Sequence, residues 1–180
     1  MSDAPRTVSG KWMILGVFGV GIAMAIAAWT YYYFQQRRPL QFWGPSAAQL
    51  IMQAPQVEAW RLADAAAVHD DPAEVQTITL GKQRLRIMET KDVSAARGLS
   101  HLRCGLMNDR CFAWDAKVPQ DAVSWQYALR FVDGKSQTTL LVAPEAKRVR
   151  LLETGAEVSN APVAEEYLKF FQEHFPEPPK

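Results

Sequence analysis

Three residues with metal-binding or redox side chains lie close together in this sequence: His101, Cys104 and Cys111. His101 and Cys104 share a face if their segment is helical. A tetrahedral metal site needs four protein ligands, or three and an open position for water. The other histidines, His69 and His174, do not lie in a metal-binding motif. We therefore expect no metal and no other cofactor, and an enzyme or metal site around the three residues is the third hypothesis for function.

Cys104 and Cys111 are the only cysteines, and a disulfide between them is another interpretation. If one helix contained both, their Cα atoms would lie about 10 Å apart, beyond the ~7 Å that a disulfide allows. If the helix ends at Gly105, the two side chains can meet. A bond is then expected in an oxidising compartment. The sequence leaves both the bonded and the free state open.

Catalytic motifs are not found elsewhere in the sequence. It contains no Gly-x-Ser-x-Gly elbow, no glycine-rich phosphate loop and no His-Glu-x-x-His motif. His69 precedes Asp70 and Asp71, but adjacent loop residues project in different directions, so a solvated charged loop is the simpler interpretation. Ser100 and His101 are also neighbours, and neighbours on a helix rarely meet as nucleophile and base. We predict that the protein is not an enzyme.

The longest apolar segment is the uncharged run 12–34, which Lys11 precedes and Arg37 and Arg38 follow. At about 1.5 Å per residue it can cross the ~30 Å hydrocarbon core of a bilayer. A cleaved signal peptide that ends at the small residues 25–28 is the alternative. The apolar region of a signal peptide is about 7–15 residues long and ends at the small residues, however, whereas this run continues beyond residues 25–28 to Phe34. We therefore predict a single transmembrane helix over 12–34.

Aromatic residues flank this segment at both ends. Amphipathic rings prefer the headgroup level of a bilayer, so we predict membrane-interface anchors there. These anchors are Trp12, Trp29, Tyr31, Tyr32, Phe42 and Trp43. The flanking basic residues favour the N-terminus inside by a small excess. We expect a signal anchor in a bacterial-type inner membrane with the C-terminal domain on the outer, periplasmic side, and the reverse topology stays open.

One face of the predicted helix carries small side chains. In lipid, helices associate through close backbone approach over small residues, because the hydrophobic effect does not drive them together. The predicted helix-packing interface consists of Gly16, Gly19, Ala23, Ala27 and Thr30. A second small patch over Gly21, Ala25 and Ala28 lies nearly opposite. Glycine and alanine are common in any spanning helix, so lipid contact alone is the alternative interpretation.

The charge of the chain is balanced, with 20 lysines and arginines against 19 aspartates and glutamates and a net charge of +1. Binding to nucleic acid requires a concentrated basic surface, so we expect no nucleic-acid partner. Basic residues nevertheless recur in two strand-like segments and are candidates for docking on an acidic protein or on anionic lipid. This candidate patch consists of Arg84, Arg86, Lys147, Arg148 and Arg150. An ordinary solvated sheet face is the alternative.

The residue pattern after the membrane segment predicts one α+β domain. Alternating residues predict strands over 75–80, 83–88, 124–132, 138–142 and 146–152, while 57–62 fits a strand or a helical turn. Gly81-Lys82 and Asp133-Gly134 predict hairpin turns. Apolar residues at helical spacing predict helices over 47–53, from Asp92 to an end marked by Gly105 and Asn108-Asp109, and from Asn160 to Pro176. We expect a mostly antiparallel β-sheet packed against two or three helices that cover one of its faces.

The predicted organisation has five parts. They are a short N-terminal tail (1–11), the transmembrane helix (12–34), a juxtamembrane connector that turns at the interface (35–45), the globular domain (46–175) and a Pro-rich tail (176–180). We expect a non-catalytic accessory or assembly subunit of a multi-subunit membrane complex of respiratory, photosynthetic or transport type. Its partners would be other membrane-protein subunits. The alternative is a free-standing, membrane-tethered binding domain for a soluble ligand or protein.

Overall fold

A computed structural model describes residues 10–64, 76–81, 83–117 and 123–176. The fold is α+β, with a seven-stranded antiparallel sheet and four α-helices among the described residues. The helices are α1 (Gly10–Trp43), α2 (Pro45–Gln53), α3 (Leu99–Leu106) and α4 (Ala164–His174). The strands are β1 (Gln56–Asp64), β2 (Thr77–Leu80), β3 (Gln83–Asp92), β4 (Tyr127–Asp133), β5 (Ser136–Ala143), β6 (Arg148–Leu151) and β7 (Glu157–Ser159). The predicted fold class of the domain is confirmed.

The strands lie in the order β2-β3-β1-β4-β5-β6-β7, and every adjacent pair is antiparallel. Tight hairpins join β2 to β3 and β4 to β5. Gly81 and Gly134 lie in these turns with φ angles of 59° and 57°, which glycine adopts without steric cost. The hairpin predicted from Asp133 and Gly134 is confirmed. Lys82, predicted in the first turn, lies outside the described residues.

The sheet has a hydrophobic cluster on each face. Helices cover the first face, where the buried residues include Ile51, Val57, Leu102, Phe131 and Phe171. The second face encloses a smaller cluster that includes Trp60, Leu62, Leu85, Trp125 and Leu141. Side chains from opposite parts of the sheet, Ile78 on β2 and Leu152 after β6, pack against this second cluster. The sheet therefore curls on itself, and the face that the helices leave free is closed by the curl.

The structure differs from the prediction at the start of α3. Asp92 is the last residue of β3, and its carboxylate accepts hydrogen bonds from the backbone N and the Oγ of Ser94 at 2.9 and 2.6 Å. This local turn replaces the predicted helix cap. The helix begins only at Leu99, after Gly98 with a φ of 91°. It ends at Leu106, next to the predicted end at Gly105.

Helix α1 is longer than the predicted membrane segment. It continues through the predicted connector 35–45 as far as Trp43 and contains Pro39, so the predicted turn does not occur before Gly44. Gly44 has a φ of 79° and separates α1 from α2. The stretch Met13–Trp43 is long and apolar enough to cross a membrane. A signal sequence near the N-terminus can also form a long apolar helix, so the membrane crossing stays a prediction.

Candidate functional site

The end of α1 is built into the core of the domain. The Trp43 side chain is 2% exposed, and its indole Nε1 donates a hydrogen bond to the backbone O of Leu106 at 2.8 Å. Four aromatic rings meet there, at centroid distances of 4.6 to 5.8 Å. This aromatic junction consists of Phe42, Trp43, Phe112 and Trp114. It joins the helix to the domain by packing and by a buried hydrogen bond.

A second contact joins α1 to the domain further toward the N-terminus. The Arg110 guanidinium donates a hydrogen bond to the Tyr31 hydroxyl at 2.5 Å and lies 5.7 Å from the centre of the same ring. Tyr31 and Trp43 are separated by about 18 Å along a helix. The last part of α1 therefore contacts the domain at two points, through the buried Trp43 and through the exposed pair of Tyr31 and Arg110.

The predicted membrane anchors fall into three groups. Trp43 is buried in the aromatic junction, so its prediction as a membrane-interface anchor is wrong. Phe42 is only partly buried in the same junction and stays a prediction. Trp29 and Tyr32 are exposed, at 71% and 65%, and stay predictions, as does Tyr31 with its contact to Arg110. The side chain of Trp12 lies outside the described residues.

The predicted helix-packing face has no contact with the domain at its two glycines. A methyl group built on Gly16 or Gly19 has no other heavy atom within 4 Å beyond the adjacent backbone. Ala23 and Ala27 are exposed, and the Thr30 hydroxyl donates to the backbone O of Ile26 at 2.7 Å. This face is therefore available to another helix or to lipid, and its role in packing stays a prediction.

A groove of about 370 Å³ lies between α3 and α4. We call it the α3–α4 groove. Largely apolar side chains form its inner surface, and charged side chains lie along its edges. Its lining includes His101, Leu102, Gly105, Cys111, Tyr167 and Phe170. The groove thus contains two of the three residues around which the sequence suggested a site, and Cys104 is not among those that line it.

Tyr167 lies in the wall of this groove, and its hydroxyl is buried. Its side chain is 4% exposed, and its hydroxyl has no hydrogen-bond partner among the described residues. The nearest backbone is that of Gly105, where an added Cβ would lie 3.4 Å from the Tyr167 oxygen and 3.8 Å from the Cys111 sulfur. Burial raises the pKa of Tyr167 far above its ordinary value, and the charges of Cys111 and Glu166 raise it further. The hydroxyl therefore stays protonated and can donate a hydrogen bond.

The two cysteines are free thiols in the structure. Cys104 is exposed and Cys111 is half-buried, and no disulfide joins them. Burial raises the pKa of Cys111, and the charge of Glu166 adds to the effect, so this thiol is a weak nucleophile at neutral pH. Among the described residues, no three His, Cys, Asp or Glu side chains are grouped so that they could hold a metal ion. His69, Asp70 and Asp71 lie outside those residues.

The predicted basic patch does not form one surface. Arg84 and Arg86 lie on β3, whereas Arg148 and Arg150 lie on β6, and three strands separate β3 from β6. The two pairs also lie on opposite faces of the sheet. Leu85 belongs to the second cluster, so its neighbours along β3, Arg84 and Arg86, point to the first face. Leu141 also belongs to the second cluster, and Arg150 is paired with it across the strands, so Arg150 points to the second face. The prediction of a common docking patch is therefore wrong.

The basic residues of β6 have a structural role instead. Arg148 and Arg150 both contact the carboxylate of Glu157 on β7, at 3.2 and 3.4 Å. Lys147 lies in the turn before β6 with a φ of 54°. These ion pairs join β6 to β7, the last strand of the sheet. The sequence pattern did not predict β7.

The Tyr167 hydroxyl and the aromatic junction were not predicted as parts of a site. The sequence signal for the Tyr167 hydroxyl is a tyrosine on a largely apolar helix face, because its polar atom must then lie in the core. No family model, curated protein or solved structure matches this chain.

Proposed function

We propose that this protein is a single-pass membrane protein and a non-catalytic accessory or assembly subunit of a multi-subunit membrane complex. The observation that carries the proposal is the aromatic junction. A simple tether needs only a flexible link between anchor and domain, whereas α1 enters the domain core through Trp43 and its bond to Leu106. Such a junction holds the domain at a fixed distance and direction from whatever surrounds the helix.

The length of α1 fits this arrangement. Its 34 residues correspond to about 51 Å of helix. Contacts with the domain begin at Tyr31, so residues 11–30 supply about 30 Å, which is the thickness of a hydrocarbon core. Large apolar side chains project from this part, including Val17 at 74% and Phe18 at 68% exposure. A continuous apolar surface of this kind is stable in lipid or against another helix and not in water.

The small-residue face supports a role in assembly. Gly16, Gly19, Ala23 and Ala27 are left free by the protein's own domain, and small residues allow another helix to approach closely in lipid. A domain held rigidly at the membrane surface then contacts the outer parts of the same partners. We place the helix in a bacterial-type inner membrane and the domain on its outer side, from the basic residues that flank the segment.

Two matched double variants test the proposal. Gly19→Leu with Ala23→Leu adds bulk to the predicted packing face, and Gly21→Leu with Ala25→Leu adds the same bulk on the nearly opposite face. The full-length variants are extracted from native membranes in mild detergent, and the proteins that co-purify are quantified by mass spectrometry. We expect the first variant to lose its membrane-protein partners while the thermal stability of the domain is unchanged. The second variant should keep them.

Equal recovery of the same partners with both double variants would contradict packing through Gly19 and Ala23. A further variant separates a subunit from a tethered binding domain: residues 12–30 are replaced by an unrelated spanning helix of equal length. A tethered domain keeps its function after this exchange, because it uses the helix only as an anchor. A packed subunit loses its partners.

A further inference from the structure

A cavity of about 420 Å³ lies between the two ends of the curled sheet, on the face that the helices leave free. We call it the sheet cavity. Ile78 and Ile87 line it from strands β2 and β3, and Gln137 and Leu152 line it from β5 and from the segment after β6. Trp60 on the central strand β1 lies between them. The curl thus brings distant strands to one cavity, as in the mouths of β-barrels, where small molecules often bind.

The lining of the sheet cavity is apolar in one part and polar in another. Ile78, Ile87 and Leu152 are partly buried and pack against the second cluster. Arg130 and Gln137 supply polar groups from the β4–β5 hairpin. The Arg130 side chain is 32% exposed, and Gln137 is exposed. A molecule that enters the cavity can therefore contact both the apolar and the polar surface.

Arg130 is held in position by its neighbours and still has donors to spare. Its Nε donates to the amide oxygen of Gln137 at 3.1 Å, and its Nη2 donates to the same oxygen. Its Nη1 donates to the Glu58 carboxylate at 3.4 Å, and the guanidinium lies 5.6 Å from the centre of a Trp60 ring. A guanidinium has five N–H groups, so two have no acceptor among the described residues. The amide nitrogen of Gln137 adds further donors.

The charge of the lining is positive. Arg130 is the only charged side chain among the described residues that line the cavity. Two carboxylates contact lining residues from outside it: Glu153 accepts from the backbone N of Thr139 at 2.7 Å, and Glu58 makes the 3.4 Å contact with Arg130. Glu58 and Arg130 are each 32% exposed, so solvent screens this ion pair and it stabilises the fold little. A cation with free N–H groups beside apolar surface suits a carboxylate with a hydrocarbon chain.

We propose that the sheet cavity binds a small aliphatic carboxylate. The carboxylate accepts hydrogen bonds from Arg130 and from the amide nitrogen of Gln137. The hydrocarbon chain contacts Ile78, Ile87 and Leu152. The proposal does not depend on membrane insertion or on a partner subunit, since α1 does not line the cavity.

A matched pair of probes tests this proposal: 3-methylbutanoate, and 3-methylbutanamide, which has the same carbon chain and no charge. The full-length protein is incorporated into phosphatidylcholine nanodiscs at neutral pH, and its six tryptophans are labelled with ¹⁵N at the indole nitrogen. The Trp60 signal is identified by its loss in Trp60→Phe. We expect 3-methylbutanoate to shift that signal saturably. It should bind about five- to tenfold more tightly than the amide, because hydrogen bonds to a charged group are stronger than those between neutral groups.

Three arginine variants locate the effect. In Arg130→Gln the two probes should bind with similar affinity, because the positive charge that favours the carboxylate is removed. Arg130→Lys keeps that charge and should keep part of the preference. Arg84→Gln is the matched control and should change neither affinity, because Arg84 is exposed and does not line the cavity. Empty nanodiscs correct for partitioning of the probes into lipid.

Two results with the wild-type protein would overturn the proposal. If the two probes bind with equal affinity, then Arg130 does not contact the carboxylate. If 3-methylbutanoate at millimolar concentration leaves the Trp60 signal unchanged, then the sheet cavity is not a site for this class of ligand. The wild-type titration decides the question even where a variant fails to fold.

Discussion

Trp43 and Tyr167 are two buried aromatic side chains, each with one polar atom, and they differ in whether that atom is satisfied. The Trp43 indole donates to the Leu106 backbone, whereas the Tyr167 hydroxyl has no acceptor among the described residues. Apolar periodicity predicted the helix that contains Tyr167, and the tyrosine is buried there. The periodicity could not predict the acceptor of Trp43, which lies 63 positions away, or the lack of an acceptor at Tyr167, which depends on how α3 packs beside α4.

Replacing Tyr167 with phenylalanine should stabilise the protein in the absence of added ligand. The change removes a buried donor that has no protein acceptor and keeps the ring, so the free energy of unfolding should rise by about 1 kcal/mol. Chemical denaturation of the full-length chain in detergent, followed by tryptophan fluorescence, measures the change. Tyr32→Phe is the control, since the Tyr32 ring is exposed. Destabilisation by Tyr167→Phe would mean that the hydroxyl is already hydrogen-bonded.

At the scale of the elements, the sequence predicted strands well where one face of the strand is polar or a hairpin turn is marked. The β4–β5 hairpin was predicted from Asp133 and Gly134, and the strand pattern up to Met88 continues in β3. For β1 the pattern was ambiguous, because Val57 and Ala59 face one cluster while Trp60 and Leu62 face the other. A strand buried on both faces has no polar alternation, and a helical turn has the same composition.

The sequence did not predict strand β7 or the extension of α1 to Trp43, for physical reasons. The short strand β7 pairs with β6 through tertiary contacts, including Glu157 between Arg148 and Arg150, and its three residues are too few for a pattern. Helix α1 extends to Trp43 because its last turns pack on the domain. The connector 35–45 was predicted to turn at the interface, and packing on the domain keeps it helical as far as Trp43.

Trp43→Ala should destabilise the domain far more than the same change elsewhere on α1. It removes a buried ring from the aromatic junction and leaves the Leu106 carbonyl unpaired, so we expect the free energy of unfolding to fall by about 3–5 kcal/mol. Thermal unfolding of the full-length chain in detergent, followed by circular dichroism, measures the loss. Trp29→Ala is the matched control, because Trp29 lies on the same helix with 71% of its side chain exposed. Similar losses for both variants would contradict a structural junction at Trp43.

At the scale of the whole molecule, the fold class followed from the sequence, and the closure of the sheet did not. The expected helices over one face are present, but the second face is enclosed by the curl around Trp60 and Leu85. Neither the curl nor the α3–α4 groove is local in sequence, since both join segments far apart along the chain. The apolar composition of α1 was evident from the sequence, whereas its rigid connection to the domain was evident only from the structure.

We propose that α1 carries a firmly joined domain into a membrane complex. Affinity capture of the full-length chain from its native membranes, after mild-detergent extraction and with mass spectrometry of the captured proteins, is the decisive measurement. We expect the chain in the membrane fraction, with Trp29 and the rest of α1 uncleaved, together with a stoichiometric set of membrane proteins. Recovery of the chain alone, or of a soluble form cleaved within 25–28, would contradict it.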